Sequence, residues 1–239
     1  MATTAEIRTE GLVKIYGMSK LGVLYDRFLL LLQPPRIELL AQYERLLANC
    51  ATLYDVGCGA GNHLDNLNFK PKGAWIGIDS HQGSLEIAAG KGVYSNLVCA
   101  DILTFLHNCP DSSVDTVLAS CVIEHMPKEV GFRLIDEMKR VCRVSAIVFT
   151  PNGYVPQPPG KDNPANEHIS GWSTNDFIAN QFEIDSGLYG FKKLRTSFGL
   201  PSIKPIIVGD LIAKSTSRLA FLFPKSAYQV VAVYKKDMT

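Results

Sequence analysis

Short apolar runs, each closed by a polar or acidic residue, recur between Ala51 and Thr150. The first holds Ala51, Leu53 and Val56 and runs into Gly57; the second is Ala74–Asp79; the third is Leu97–Ala100, followed by Asp101. A fourth, Val114–Ala119, leads into Ser120 and Cys121, and a fifth is Ser145–Thr150. Runs of this length bounded by turn residues read as buried strands. Between and before them the period changes to that of a helix. Ile37, Leu39, Leu40, Tyr43, Leu46 and Leu47 form one apolar face over Arg36–Asn49, and Lys128–Val141 opens behind Pro127. A further helix is expected over Tyr25–Gln33, split from the next by Pro34 and Pro35, and another from Asn62 onward. Strands alternating with helices predict a parallel sheet covered on both faces. Residues 1–20 are polar and are expected to be partly mobile. Pro151–Gly171 breaks the pattern with five prolines and three glycines, and a loop of that length inside a compact domain is usually functional or disordered. Tyr228–Lys235 alternates as a half-buried strand.

Charge and cysteine content narrow the possibilities. Lys plus Arg number 24 against 23 acids, so no global field draws the chain to nucleic acid or anionic lipid. The six cysteines stand singly, without a C-x-x-C pair, and read as reduced thiols of a cytoplasmic protein. No apolar stretch is long enough to span a membrane. The chain has the length of one large α/β domain, and nothing in it specifies an oligomeric state.

The chemistry starts at Tyr54–Leu64, YDVGCGAGNHL. A glycine turn between strand and helix is a generic nucleotide-binding device. Dinucleotides require G-x-G-x-x-G, with a pyrophosphate at the helix N-terminus. Here the spacing is G-x-G-x-G, and Asp55 stands two residues before the first glycine, where a carboxylate would repel a pyrophosphate and suit a cationic amine. Asp55, Gly57, Gly59 and Gly61 resemble motif I of class I S-adenosylmethionine-dependent methyltransferases (type 11-like). The resemblance extends to Asp79, a little over twenty residues later, at the ribose position. It also covers Asp101 with Ile102 at the adenine position, and Ser120 where that family closes over its ligand. It implies S-adenosylmethionine as cofactor. It further implies a single Rossmann-like, doubly wound, mostly parallel seven-stranded α/β sheet ending in an antiparallel hairpin. Taken singly, each acid could equally cap a helix. On this reading residues 1–50 are an N-terminal helical segment, 51–150 the cofactor-binding core, and 151–239 an acceptor loop with C-terminal strands, all within one methyltransferase domain.

Methyl transfer from a sulfonium is an in-line displacement, and alignment alone supplies about 7–11 kcal/mol. A base is required if the acceptor must lose a proton. Glu124 and His125, just past the fourth strand, and His168 in the long loop are the candidate catalytic residues. Two resemblances bear on them. Small-RNA 3′-terminal ribose methyltransferases carry E-x-x-E-H after the fourth strand, T-P-N after the fifth, and a further His, which together hold a divalent ion; ubiquinone-pathway O-methyltransferases carry a related E-x-x-E-H. Glu124, His125 and His168 match, but Cys121 replaces the first glutamate, which disfavours magnesium. We expect no metal centre on that ground, and no nucleic-acid substrate in the absence of a basic patch. The second resemblance, T-P-N-G-Y (Thr150–Tyr154), then Gln157, H-x-S-G-W (His168–Trp172) and Asp176-Phe177, is to bacterial and archaeal class I methyltransferases associated with surface-glycan and small-molecule biosynthesis. It places Asn152, Tyr154, Gln157, His168 and Trp172 around an acceptor, although packing is the commoner role of a tryptophan.

The N-P-P-Y run of amino-methylating DNA enzymes and the P-C nucleophile of cytosine C5 enzymes are absent. The stretch Ile206–Phe223 is amphipathic and reads either as a core or dimer-packing helix or as a face for interfacial membrane contact. The expected function is therefore S-adenosylmethionine-dependent methylation, at oxygen, of a small-molecule or glycan acceptor. The alternatives are metal-assisted ribose 2′-O-methylation of RNA and a non-catalytic S-adenosylmethionine-binding regulator.

Overall fold

The computed structural model describes residues 39–194, 212 and 216–236. The helix expected over Tyr25–Gln33, the polar residues 1–20 and half of Ile206–Phe223 lie outside them. Seven strands form one sheet: β1 (Leu53–Val56), β2 (Trp75–Asp79), β3 (Asn96–Cys99), β4 (Val114–Ser120), β5 (Cys142–Pro151), β6 (Glu183–Phe191) and β7 (Ala227–Lys235), in the order β3-β2-β1-β4-β5-β7-β6. β1 to β5 are parallel, and β7 runs antiparallel between β5 and β6. The six α-helices among the described residues are α1 (Leu39–Leu47), α2 (Gln82–Ala89), α3 (Ile102–His107), α4 (Lys128–Val141), α5 (Thr174–Ala179) and α6 (Ser217–Leu222). None is long and apolar enough to cross a membrane.

The doubly wound architecture follows from what the central strands bury. In β4, Val117 and Ala119 point to one face and Leu118 to the other, and all three are inaccessible; in β5, Ala146 and Val148 alternate in the same way with Ile147 and Phe149. A strand apolar on both faces must be covered on both. α4 covers one face with Leu134, Ile135 and Met138, joined by Trp172 and Phe177. α1 covers the other through Tyr43 and Leu47, packed with Trp75 and Phe149. The chain winds outward from β1 through β2 to β3, then returns to place β4 on the other side of β1. Ligands of such sheets bind at that reversal, beyond the carboxyl ends of the strands.

The helix expected from Asn62 is not formed. Residues 60–66 are a series of turns. Asn62, Asp65, Asn66 and Asn68 compete for their own backbone, and Pro71 closes the segment before a full helix could repay its nucleation. Leu64 is still buried, in the α1 face of the core.

The proline-rich loop is ordered by its contacts. Ile169 and Ser170 both donate their N–H to the Glu124 carbonyl, at 2.9 and 3.1 Å. Trp172, fully buried, donates Nε1–H to the Ile123 carbonyl and to Ser170 Oγ. Gly131 in α4 makes room for that indole, since a Cβ there would stand 2.3 Å from Trp172 Cζ2. Gly131→Ala should therefore overpack the loop anchor and lower stability by about 1–3 kcal/mol, read as a drop in Tm.

Candidate functional site

A cleft of about 430 Å³ opens over the ends of β1, β2 and β4. Its floor is the glycine turn. Gly57 (φ +71°) sits where a Cβ would stand 2.5 Å from Val122 Cγ2, so only glycine lets β1 turn this tightly under the β4 terminus. Gly59 has nothing within 4 Å of its Cβ position and presents bare backbone to the cleft. Its N–H donates to Asp79 Oδ2 at 2.8 Å, while Asp79 Oδ1 accepts from His81 N–H. The acid at the end of β2 thus shapes the turn as well as lining the cleft.

Of the candidates named from the sequence, Gly57, Gly59, Asp79, Asp101, Ile102, Ser120 and His125 line the cleft. Asp101 also caps α3, its Oδ1 accepting from the N–H and hydroxyl of Thr104, so the capping and ligand readings coexist in one carboxylate with a second oxygen. Ser120 is hydrogen-bonded to the Tyr43 hydroxyl of α1. Asp55 and Gly61 are not among the lining residues. Asp55 lies beneath the turn, 3 % exposed, accepting from the Tyr94 hydroxyl at 2.5 Å. Burial, abetted by Asp79 and opposed by Tyr94, pushes its carboxyl up to about 7. His63, Asn62 and Met126 enter the lining, as do Asn163 and Asn166 from the proline-rich loop. Sequence reasoning missed them because residues in turns and loops carry no periodic signal.

At the mouth of the cleft, beyond β4, Glu124, His125 and His168 come together, with one donor atom of each within 4.8 Å of the others. Cys121, at φ +55°, turns the chain out of β4 into the 3₁₀ turn Ile123–His125. The proline-rich loop delivers His168 to the same place. His125 Nδ1 donates to the Glu167 carbonyl at 3.0 Å and His168 Nδ1 to the Val155 carbonyl at 2.7 Å. A carbonyl can only accept, so each Nδ1 carries a proton, and the ring nitrogen left to face other groups is Nε2. The two rings meet edge to face, with centroids 4.8 Å apart. Burial lowers the His125 pKa, helped by His168. Glu124 is buried; its Oε2 accepts from Thr150 Oγ1 at 2.9 Å, while Oε1 has no hydrogen-bond partner. Burial pushes this carboxyl up to about 7, against the pull of Thr150 and the Cys121 thiol. Burial likewise raises the Cys121 thiol, which keeps it protonated.

The other loop residues divide by role. Asn152 spends its Nδ2 on the carbonyls of Pro224, Lys225 and Ala227, anchoring the entry to β7. Trp172 packs the loop, so neither faces an acceptor. Tyr154 donates its hydroxyl to the His168 carbonyl, and Gln157 Nε2 donates to the Asn166 carbonyl. Ala220 of α6 is buried and Leu219 and Leu222 are exposed, so the described part of Ile206–Phe223 shows one packed face and one open one.

Comparison with known proteins bears on this cleft. Residues 53–145 match a family model described as a methyltransferase domain. No curated protein matches the sequence. Among solved structures, a SAM-dependent methyltransferase from Archaeoglobus fulgidus is 20% identical, with 82% of this chain and 92% of that chain covered and a TM-score of 0.55. The small RNA methyltransferase HEN1 is 18% identical over 84% of this chain and only 25% of that one, with a TM-score of 0.53. The plantazolicin methyltransferase BpumL, in complex with SAH, is 13% identical over 98% and 100%, with a TM-score of 0.51. At these identities the three likenesses are likenesses of fold. The family match spans the glycine turn, the acid that ends β2 and the acid that follows β3, and the Cβ position of Gly59 in that turn is open. Residues 53–145 therefore match a methyltransferase domain on a fold shared with SAM-dependent methyltransferases, which indicates S-adenosylmethionine as the cofactor.

Proposed function

We propose that the enzyme methylates an oxygen of a small-molecule or glycan acceptor, with His125 as the proton acceptor. The observation that carries this is the position of His125, a neutral imidazole on the wall of the donor cleft, with Glu124 and His168 behind it. Bound S-adenosylmethionine supplies an electrophilic methyl on a sulfonium whose C–S electron pair leaves with sulfur. As the acceptor oxygen forms its bond to that carbon, its proton passes to His125 Nε2. The Glu167 carbonyl on Nδ1–H fixes the tautomer, and the cationic ring that results lies beside a buried carboxyl. His168, tied to Val155, holds the ring edge. On this reading residues 51–150 serve the donor and 151–239 the acceptor. The cysteines are free, with Cys99 exposed, which fits a reducing cytoplasm.

A second reading rests on the convergence itself. Two imidazoles and a carboxylate with an unpaired oxygen form a set that holds a divalent ion, each imidazole oriented by a carbonyl as metal-bound histidines are. With Cys121 alongside, zinc-like ions fit the donors better than magnesium. Such an ion would suit the vicinal hydroxyls of a terminal ribose, the acceptor implied by the resemblance of Glu124, His125 and His168 to the small-RNA ribose methyltransferases.

Methyl transfer to a panel of hydroxylated metabolites and oligosaccharides, against RNA ending in a free ribose, separates the two. For the first reading, His125→Ala should lower kcat by about 10²–10⁴, and EDTA should leave the rate unchanged. A stoichiometric ion on elemental analysis, lost in His168→Ala, would establish the second.

Glu124 gives a stability prediction with a definite sign. Between its ordinary value of 4.5 and about 7, the folded chain keeps a proton that the unfolded chain has lost. Stability from this group therefore falls as pH rises through that window, and the penalty is complete above it. In chelator, Glu124→Gln should raise Tm at pH 8, by the equivalent of at most about 3 kcal/mol, and the difference should vanish near pH 4.5.

A further inference from the structure

The glycine turn lacks the helix that would ordinarily continue it, and another segment supports it. The connection between α2 and β3 carries Lys91 and Tyr94. Lys91 Nζ donates to Asn62 Oδ1 and pairs with Asp65 at 3.6 Å, gripping the residues just after the turn. The Tyr94 ring lies between two glycines. A Cβ at Gly61, in the turn, or at Gly77, in β2, would each stand 3.2 Å from a ring carbon. From that slot its hydroxyl reaches Asp55 Oδ2.

Asp55 is a buried carboxyl with no salt-bridge partner among the described residues. The groups that face it are Tyr94 from the α2–β3 connection, Asp79 from β2, Cys58 from the turn and Tyr43 from α1. None is a cation. A buried carboxyl among neutral and acidic neighbours is complemented by a cation from outside, and the donor's ammonium group is one. A turn with no side chain at Gly57, Gly59 or Gly61 screens it little.

We propose that Tyr94 is a positioning residue for the methyl donor: its hydroxyl orients Asp55 and holds it as the anion that attracts the donor's ammonium, and its ring props the glycine turn in place of the missing helix. This rests on S-adenosylmethionine being the donor. The hydroxyl is the one hydrogen-bonding side chain opposing the burial of Asp55, so removing it should raise that carboxyl further above about 7. Donor affinity should then require higher pH.

The test is calorimetric titration of the full chain with S-adenosylhomocysteine, which has the same amino-acid end, from pH 6 to pH 8.5. Wild-type affinity should fall as pH drops through about 7, and Asp55→Asn should flatten the profile. Tyr94→Phe, which keeps the ring, should bind about tenfold more weakly near pH 6.5 and approach wild type at the alkaline end. Equal loss at every pH would overturn the proposal, leaving Tyr94 a packing residue, and so would affinity within about twofold of wild type throughout. A Tyr94→Phe protein that no longer folds would overturn it too, because the hydroxyl would then serve the fold and not the donor. Wild-type protein that binds no S-adenosylhomocysteine would overturn both this proposal and the donor assignment.

Discussion

The carbonyls of Ile123 and Glu124, just past β4, hold the proline-rich loop in place on the sheet. The Glu124 carbonyl accepts from Ile169 and Ser170, and the Ile123 carbonyl from the Trp172 indole and the Ser170 hydroxyl. Ser170 and Trp172 are buried, and their donors would each cost about 1–3 kcal/mol if left unpaired, which favours this seat of the loop on the sheet. His168 then meets His125, and Asn163 and Asn166 reach the donor cleft. A residue more than forty positions away in sequence joins the site through backbone groups, with Trp172 filling the space that Gly131 leaves open.

Two carboxyls, Asp55 under the glycine turn and Glu124 beside His125 and His168, lie near the carboxyl ends of the adjacent parallel strands β1 and β4. Burial raises both to about 7. Each has a single hydroxyl neighbour that opposes the shift, Tyr94 for one and Thr150 for the other. Carboxyls held this way are costly to the fold and available to a ligand's charge, a pattern typical of functional sites.

Much of this was legible in the sequence. The five apolar runs from Ala51 to Thr150 became β1 to β5, and Tyr228–Lys235 became most of β7. Gly57, Gly59, Asp79, Asp101 and Ile102 line one cleft because a doubly wound sheet brings its strand ends to one edge. The helix expected after Gly61 failed because four Asn and Asp residues and Pro71 outweighed the motif's usual continuation. Asn152 and Trp172 stand in a conspicuous motif, yet their partners are the entry to β7 and the Ile123 carbonyl, so they serve the fold. Tyr94 had no signal at all, since a lone aromatic in a short connection looks like any other.

The sequence by itself determined the layered sheet, the donor cleft and its cofactor chemistry. All of these depend on local features: apolar runs of strand length, glycines where the backbone must turn, and acids at strand ends. Tertiary structure decided how Asp55 is buried and by whom it is oriented, and whether Glu124, His125 and His168 meet. Burial and hydrogen-bond geometry are properties of contacts between segments far apart in the chain, and those contacts exist only once β1, β4 and the proline-rich loop have packed against one another.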